Sequence, residues 1–452
     1  MRIVLIGAGS AQFGLGMLGD IFQSEILHGS EVVLVDINEA ALAAVQQKAD
    51  EFLLANPLPF TVTSTLDRKA ALNGSDVVVI AIEVGDRFAL WQEDWTIAQQ
   101  YGIRQIYGEN GGAGGVFHAL RIIPPILEIC ADVVSIAPSA WVFNFSNPMT
   151  AITTTVKRAY PELRFVGLCH EVASLERYLP TILDTPFDNL ILRSGGLNHF
   201  SVLLSARYKD TGADAYPDIL AKAPAFFEQE PGYSDLLAHW QRTGMLARTE
   251  GATNRDVLGI ERSSKSWADR TLFKCFLDTY KLLPITSDSH IGEYISWAGE
   301  MADHKGIKDF FTLYQVMLSE SRPAIELKQE ERLVPILEGL SSDEGYEESA
   351  VNIMNTALIE SLPSSIAVEV PAWVSRRGIE GIALKEYPKG FGALLNAYSG
   401  VYDLTAEAIL TRRKQYVIEA LLASPVVSSY RGIAELVDLM IERQRRWLGY
   451  LV

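Results

Sequence analysis

Over its first 165 residues the chain alternates short runs of β-branched and other apolar residues with amphipathic stretches, and this alternation restricts its fold more than any other feature. Arg2–Ile6, Glu31–Asp36, Phe60–Thr63, Asp76–Ile82 and Trp141–Phe145 read as buried strands. Strands buried on both faces and joined by helical segments build a parallel sheet with right-handed crossovers. The pattern loosens past Arg164, which puts the main boundary between Tyr160 and Val166 and divides the chain into residues 1–165 and 166–452. In the second part Trp267–Lys281 and Ala350–Ser361 read as helical and Ile366–Val370 as a strand. Ile433, Leu436, Val437, Leu439, Met440 and Trp447 recur at helical spacing and predict an amphipathic helix that docks on a core or a partner subunit.

The first strand runs into Gly7-Ala8-Gly9-Ser10-Ala11-Gln12-Phe13-Gly14. This turn has two glycines of the dinucleotide fingerprint, with Gln12 where the third should stand. Gly7 and Gly9 would let the backbone approach a pyrophosphate, and Ser10 and Phe13 stand in the same turn as candidate cofactor contacts. The second strand ends in Asp36, whose carboxylate can accept hydrogen bonds from ribose hydroxyls and would repel a 2′-phosphate, so NAD is favoured over NADP. The same residue could serve only as a turn former. The expected class is α/β, a Rossmann-like doubly wound parallel sheet followed by an α/β (α+β) domain. A second glycine cluster, Gly108 to Gly115, implies a mobile or closely approached loop before a helical run Val116–Cys130. Asn144-Phe145-Ser146-Asn147-Pro148 ends the fifth strand where open α/β sheets place their ligands, making Asn147 a candidate contact for cofactor ribose or substrate.

Cys169-His170-Glu171 follows an apparent strand, Arg164–Leu168, and Asn198-His199 comes one supersecondary unit later. A thiol with an imidazole suits a divalent transition ion that keeps positions open for substrate oxygens. Two protein ligands are too few for a closed structural zinc site. Asp278-Thr279-Tyr280 and the run from Ser287 to Tyr294 offer acid–base groups. With 39 Lys+Arg against 56 Asp+Glu the net charge is −17, which argues against nucleic acid as a partner. Three cysteines, the lack of a signal-like N-terminus and the lack of a long apolar run lead us to expect a reduced, cytoplasmic protein without a membrane span.

Taken in order, these residues resemble the NAD- and manganese-dependent glycoside hydrolases of family four. The likeness rests on Gly7-Ala8-Gly9-Ser10, Glu109 with Gly112-Ala113-Gly114-Gly115, Asn147-Pro148, the Cys169 tetrapeptide and Asn198-His199, and continues through Val368-Glu369-Val370-Pro371 and Tyr402 to Ala408. The resemblance implies a fold like that of lactate and malate dehydrogenases, with an NAD-binding domain at 1–165 and a substrate- and metal-binding domain at 166–452. It also implies a homodimer or homotetramer. It implies hydrolysis through transient oxidation: NAD takes hydride from C3 of the sugar, a base takes the C2 proton, the C1 oxygen leaves, water adds and the hydride returns. The metal would polarise the C3 oxygen and stabilise the enediolate. Cys169, as thiolate, and His199 match the metal ligands; Glu109 and Asn147 match substrate contacts. His170 matches the position of the acid that assists the leaving group in some subgroups. The base is a Tyr in some members and an Asp in others, which leaves Tyr280 and Asp288, with Asp288 preferred.

Cys169-His170-Glu171-Val172 resembles the signature of the α-galacturonidase subgroup, so the expected substrate is an α-galacturonide, with His118 or Arg377 meeting its carboxylate. The stretch Glu83-Val84-Gly85-Asp86-Arg87 departs from the family pattern and leaves the sugar contacts there open. The competing specificities are α-galactosidase, α-glucosidase and α-glucuronidase. Outside the family, a 2-hydroxy-acid dehydrogenase or a silent dinucleotide-binding regulator would share the fold, but neither needs the Cys169/His199 pair.

Overall fold

The apolar runs near the N-terminus pair in parallel: β1 (Arg2–Ile6) lies between β2 (Glu31–Val35) and β4 (Val77–Ile80), with Val4 opposite Val33 on one side and Val78 on the other. The structure, a computed structural model, describes residues 1–169, 171–246 and 266–452. β3 (Thr61–Thr65) pairs with β2, while β5 (Trp141–Asn144) and β6 (Arg164–Gly167) continue past β4, giving the order β3-β2-β1-β4-β5-β6. That is the strand order of the dinucleotide-binding doubly wound sheet. Alternation along β1, β2 and β4 fills both faces, whereas β3, at the sheet edge, is largely exposed rather than the buried strand expected at Phe60–Thr63. Ile3, Leu5, Val32, Leu34, Val77 and Val79 pack with the helices Ala11–Phe22 and Glu39–Ala55, and Val4, Ile6, Val33, Val35, Val78 and Ile80 pack with the helix Gly112–Ile136.

The sheet does not stop at the expected boundary. The division at 165/166 falls inside β6, and β10 (Tyr346–Met354) pairs with that strand through Asn352 and Gly167. Antiparallel strands then follow in the order β11 (Ala367–Ser375), β7 (Leu190–Leu197), β8 (Phe200–Tyr208) and β9 (Leu283–Pro284), with β12 (Gly378–Gly381) on β11. The strand expected at Ile366–Val370 is the first half of β11. Ala350–Ser361, expected to be helical, is corrected: its first half completes β10 in register with β11, and Asn355 then turns the chain by bonding the backbone of Ile359 and Leu362. A short apolar run carries too little periodicity to separate a buried strand from a helix, so the partner strand decided it.

The C-terminal residues return to the first half. Leu333–Leu340 joins the core on the Ala11–Phe22 side, and Lys389–Thr411 joins the opposite core. Ile433–Arg443 forms the expected helix and buries Ile433, Leu436, Val437 and Met440 in that same core. Gln444, just beyond it, is bonded into the buried pair of Arg121 and Asp94. No described helix is long and apolar enough to cross a membrane.

Candidate active site

The carboxyl ends of β1, β2, β4, β5 and β6 open on one cavity of about 1750 Å³. Its first end is built from the glycine turn. Gly7 has φ +93°, and a Cβ there would stand 2.0 Å from the Ala81 carbonyl oxygen. Close packing of helix on turn, assigned in the fingerprint to a third glycine, falls to Gly14, where a Cβ would lie 2.3 Å from the Ala8 carbonyl. In the sequence this glycine stands two residues past the fingerprint position, which Gln12 occupies. Asp36 Oδ2 accepts the Gly9 N–H at 2.8 Å and Oδ1 accepts the Asn38 N–H at 2.8 Å, so its carboxylate orders the turn and keeps further lone pairs for ribose hydroxyls. Beside it, Ile37 and Leu66 line the cavity at 100% and 52% exposure, an apolar seat of the kind a base ring covers. Ser10 and Phe13 also line this end.

At the end of β5, Asn144 bonds the backbone of Ser146, and the Ser146 hydroxyl bridges to Ile82. That amide is structural. Asn147 lines the cavity and its Oδ1 is buried without a partner among the described residues. The glycine turn, the carboxylate, the apolar seat and the orphaned amide oxygen together fit a dinucleotide.

Cys169 follows β6, and His199 stands at the β7–β8 turn with φ +62°, a conformation costly for a residue with a Cβ and characteristic of positions that function holds in place. Their Sγ and Nε2 atoms are 3.6 Å apart. Glu171 accepts the His199 N–H at 3.2 Å and brings its other oxygen to 3.8 Å from Nε2. The ligand atoms of Cys169, Glu171 and His199 lie within 4.8 Å of one another, as do those of Glu109, His199 and His290. His199 is the shared member. The resemblance implies a substrate contact for Glu109, and the sequence gives Glu171 and His290 no metal role of their own; tertiary proximity brings all three to the donor cluster. The Asn110 amide Nδ2 lies 2.7 Å from His199 Nδ1, and its Oδ1 is buried without a hydrogen-bond partner among the described residues. Exchanging the amide's oxygen and nitrogen would let that oxygen accept from Nδ1–H and turn the Nε2 lone pair toward the donors.

Glu293, fully buried, takes the N–H groups of Asn110 and Gly111 at 2.6 and 2.5 Å and faces His290 Nδ1 at 3.3 Å. It leaves no room for a Cβ at Gly108 or Gly111, so the second glycine cluster is a closely approached loop, and its last glycines already belong to the helix Gly112–Ile136. Glu369 holds the His199 turn from below through Asn198, Ser201 and Asn352.

Burial pushes the Glu109 carboxyl up, and burial with Glu369 raises Glu171 to about 7. Burial, with Glu171 and Glu369, drives the Cys169 thiol well up. A thiolate there needs an added positive charge, which a divalent ion supplies. Burial lowers His290, but Glu293, Glu109 and Glu171 reverse that and hold it at about 8. A soft thiol, an imidazole and carboxylates in one cluster suit a transition ion.

Other expected residues lie elsewhere. His170 falls outside the described residues. Asp288 does not line the cavity; its carboxylate accepts the N–H groups of Leu272 and Phe273 at 2.8 and 3.1 Å and caps the helix Thr271–Cys275. Burial raises it to about 7. Tyr280 stacks on Phe276 at 5.0 Å, also off the cavity wall. His118 sits behind the wall, with Nε2 3.3 Å from Glu83 Oε1, so Glu83 rather than the imidazole meets the cavity. Arg377 is exposed in the β11–β12 turn, away from the cavity.

The model of the family 4 glycosyl hydrolases matches residues 2–185, and the model of the family 4 C-terminal domain matches 194–427. This chain belongs to family 4 of the glycosyl hydrolases. The family 4 chain is 60% identical over 450 residues to the alpha-glucosidase of Erwinia rhapontici, covering 100% of this chain and 99% of that protein. In fold it is similar to a 6-phospho-alpha-glucosidase from gut microorganisms solved with NAD and Mn2+ (TM-score 0.77, 17% identity, 98% of each chain). It is similar as well to the malate dehydrogenase of Cryptosporidium parvum (TM-score 0.50, 13% identity, 91% of this chain and 99% of that one). The dehydrogenase-like α/β architecture expected from the sequence is thus the observed one.

Proposed function

We propose that this family 4 chain is an NAD- and divalent-metal-dependent glycosidase that hydrolyses α-glucosides. One observation carries the chemistry: a single cavity has the glycine turn and Asp36 at one end and the Cys169, Glu171, His199, His290 and Glu109 donors at the other. The α-glucoside assignment is supported by the 60% identity to an alpha-glucosidase over the whole chain. When bound, NAD would supply a hydride acceptor for C3 of the sugar, and the ion would supply positive charge at the C3 oxygen. Gly7, Gly9, Ser10, Phe13 and Asp36 would seat the dinucleotide, and Asn147 would offer its buried oxygen to a ribose or sugar hydroxyl. Cys169 and His199 would hold the ion, with Glu171, Glu109 and His290 in reach. His170, one residue from Cys169, is kept as the acid for the leaving group. Among the described residues, Glu109, Glu171 and His290 reach the cavity beside the donors, whereas Asp288 and Tyr280 do not.

The Cys169–Val172 tetrapeptide favours a second reading, an α-galacturonidase. Incubation with NAD, Mn2+, a thiol reductant and p-nitrophenyl α-glucoside, α-galactoside or α-galacturonide separates the two. Fastest release from the glucoside, abolished by chelator, is expected; fastest release from the galacturonide would replace the first reading with the second. Turnover in deuterated water should label C2 of the product, and an unlabelled C2 would sink the oxidative scheme for either sugar.

A further inference from the structure

We propose that Glu83, held as a carboxylate by the buried His118, is the residue through which this site selects a neutral, hydroxylated sugar over one bearing a carboxylate or phosphate. The inference rests on the glycosidase reading and deepens its α-glucoside specificity. His118 is 1% exposed, and each ring nitrogen faces an acceptor: Nδ1 lies 2.9 Å from the Glu109 carbonyl oxygen and Nε2 3.3 Å from Glu83 Oε1. A carbonyl oxygen can only accept, so Nδ1 carries hydrogen. Glu83 Oε1 already accepts the Val84 N–H at 2.8 Å, which favours its anionic form, and an anion there calls for a proton on Nε2 as well. Burial pushes the Glu83 carboxyl up, but His118, Val84 and Arg87 more than reverse this and hold it below its ordinary value.

Glu83 lines the cavity and His118 does not. Its Oε2 makes no hydrogen bond among the described residues. The wall therefore presents a fixed acceptor oxygen, joined through His118 and the Glu109 backbone to the residue whose carboxylate lies within 4.8 Å of the His199 and His290 ligand atoms. A sugar hydroxyl can donate to that oxygen. A uronate or phosphate in its place meets the Glu83 charge. Arg68, Arg87, Arg121, Arg177, Arg270 and Arg446 also line the cavity. Arg68 and Arg121 are paired with Asp132 and Asp94, Arg87 donates to the Tyr314 hydroxyl, and Arg270 and Arg446 lie over aromatic rings, which leaves Arg177 as the cavity-lining guanidinium that would compete with Glu83 for an anionic sugar.

The test uses the full chain loaded with NAD and Mn2+. Calorimetric binding of glucose, glucuronate and glucose 6-phosphate is measured beside kcat/KM on p-nitrophenyl α-glucoside and α-glucuronide. The wild type should favour the neutral sugar by about a hundredfold in both, as expected where a buried polar group is built for a hydroxyl. Glu83→Gln keeps the size and removes the charge; it should weaken glucose, strengthen glucuronate and bring the ratio to within about tenfold, with NAD affinity unchanged as the check on folding. His118→Gln, acting through Glu83, should move the ratio in the same direction. An unchanged ratio in Glu83→Gln, or a wild-type preference for a charged sugar, overturns the proposal. Selective glucose binding without hydrolysis of any glucoside would overturn the glycosidase reading and leave the role of Glu83 standing.

Discussion

At the glycine end of the cavity Gly7, Gly9, Ser10, Phe13 and Asp36 come from the ends of two neighbouring strands and the helix start after the first, and backbone groups make their shaping contacts: Gly7 against the Ala81 carbonyl, Gly14 against the Ala8 carbonyl, and Gly9 N–H on the Asp36 carboxylate. At the donor end Glu109, Cys169, Glu171, His199 and His290 come from distant loops, and side chains with opposed needs are forced together. The first end holds its shape through these contacts. The second buries carboxylates and a thiol that lack a sufficient positive charge of their own, which burial makes costly. One cavity thus joins a preformed cradle to a cluster that a cation would settle.

The sharpest way to break this contrast is at the donor end. Cys169→Ser should abolish turnover and leave NAD affinity and the melting temperature nearly unchanged, because one ligand is lost with little core volume; full activity in chelator would remove the metal from the account. Asn110→Ala, which frees the His199 ring, should weaken Mn2+ binding by about 10–100-fold, the usual effect of losing a partner behind a ligand, without altering NAD affinity. A matched loss of both would mean that the two ends are one unit.

At the glycine end, Asp36→Ala should weaken NAD by about 1–3 kcal/mol in a fluorescence titration, since charge-assisted bonds to ribose and to the turn are both lost. Mn2+ affinity should stay where it was. An unchanged NAD dissociation constant would reduce Asp36 to the holder of Gly9 and Asn38.

The smallest effect is on stability. The Glu171 carboxyl rises from an ordinary 4.5 to about 7, so its contribution is complete below about pH 4.5 and is lost as pH climbs through about 7. Asp20, at about 6, and Asp288, at about 7, act in the same direction. Tm of the metal-free chain should therefore fall across that window, and the gain from Mn2+ should widen as Glu171 deprotonates; a gain independent of pH would separate Glu171 from the ion.

The alternation of the first 165 residues, the Gly7–Gly9 turn and Asp36 were legible because each is a local pattern: strand burial has a period of two and a tight turn needs its glycine at a set position; Cys169 and His199 stood out because a cysteine or histidine at a strand end is uncommon. Burial and register, properties of the whole chain, decided what remained. Ala350–Ser361 became strand and turn because β11 offered a partner, and the sheet ran through β6 because Asn352 met Gly167. Asp288, the preferred base, and His290 stand two residues apart in one run of acid–base groups, yet the backbone turns the first onto the N–H groups of Leu272 and Phe273 and the second into the cavity beside His199. For His118, the sequence by itself offered a cation for a sugar carboxylate; only the tertiary structure set Glu83 in front of it, because a buried imidazole between two acceptors takes its anion from the protein and has none left to seek in a substrate.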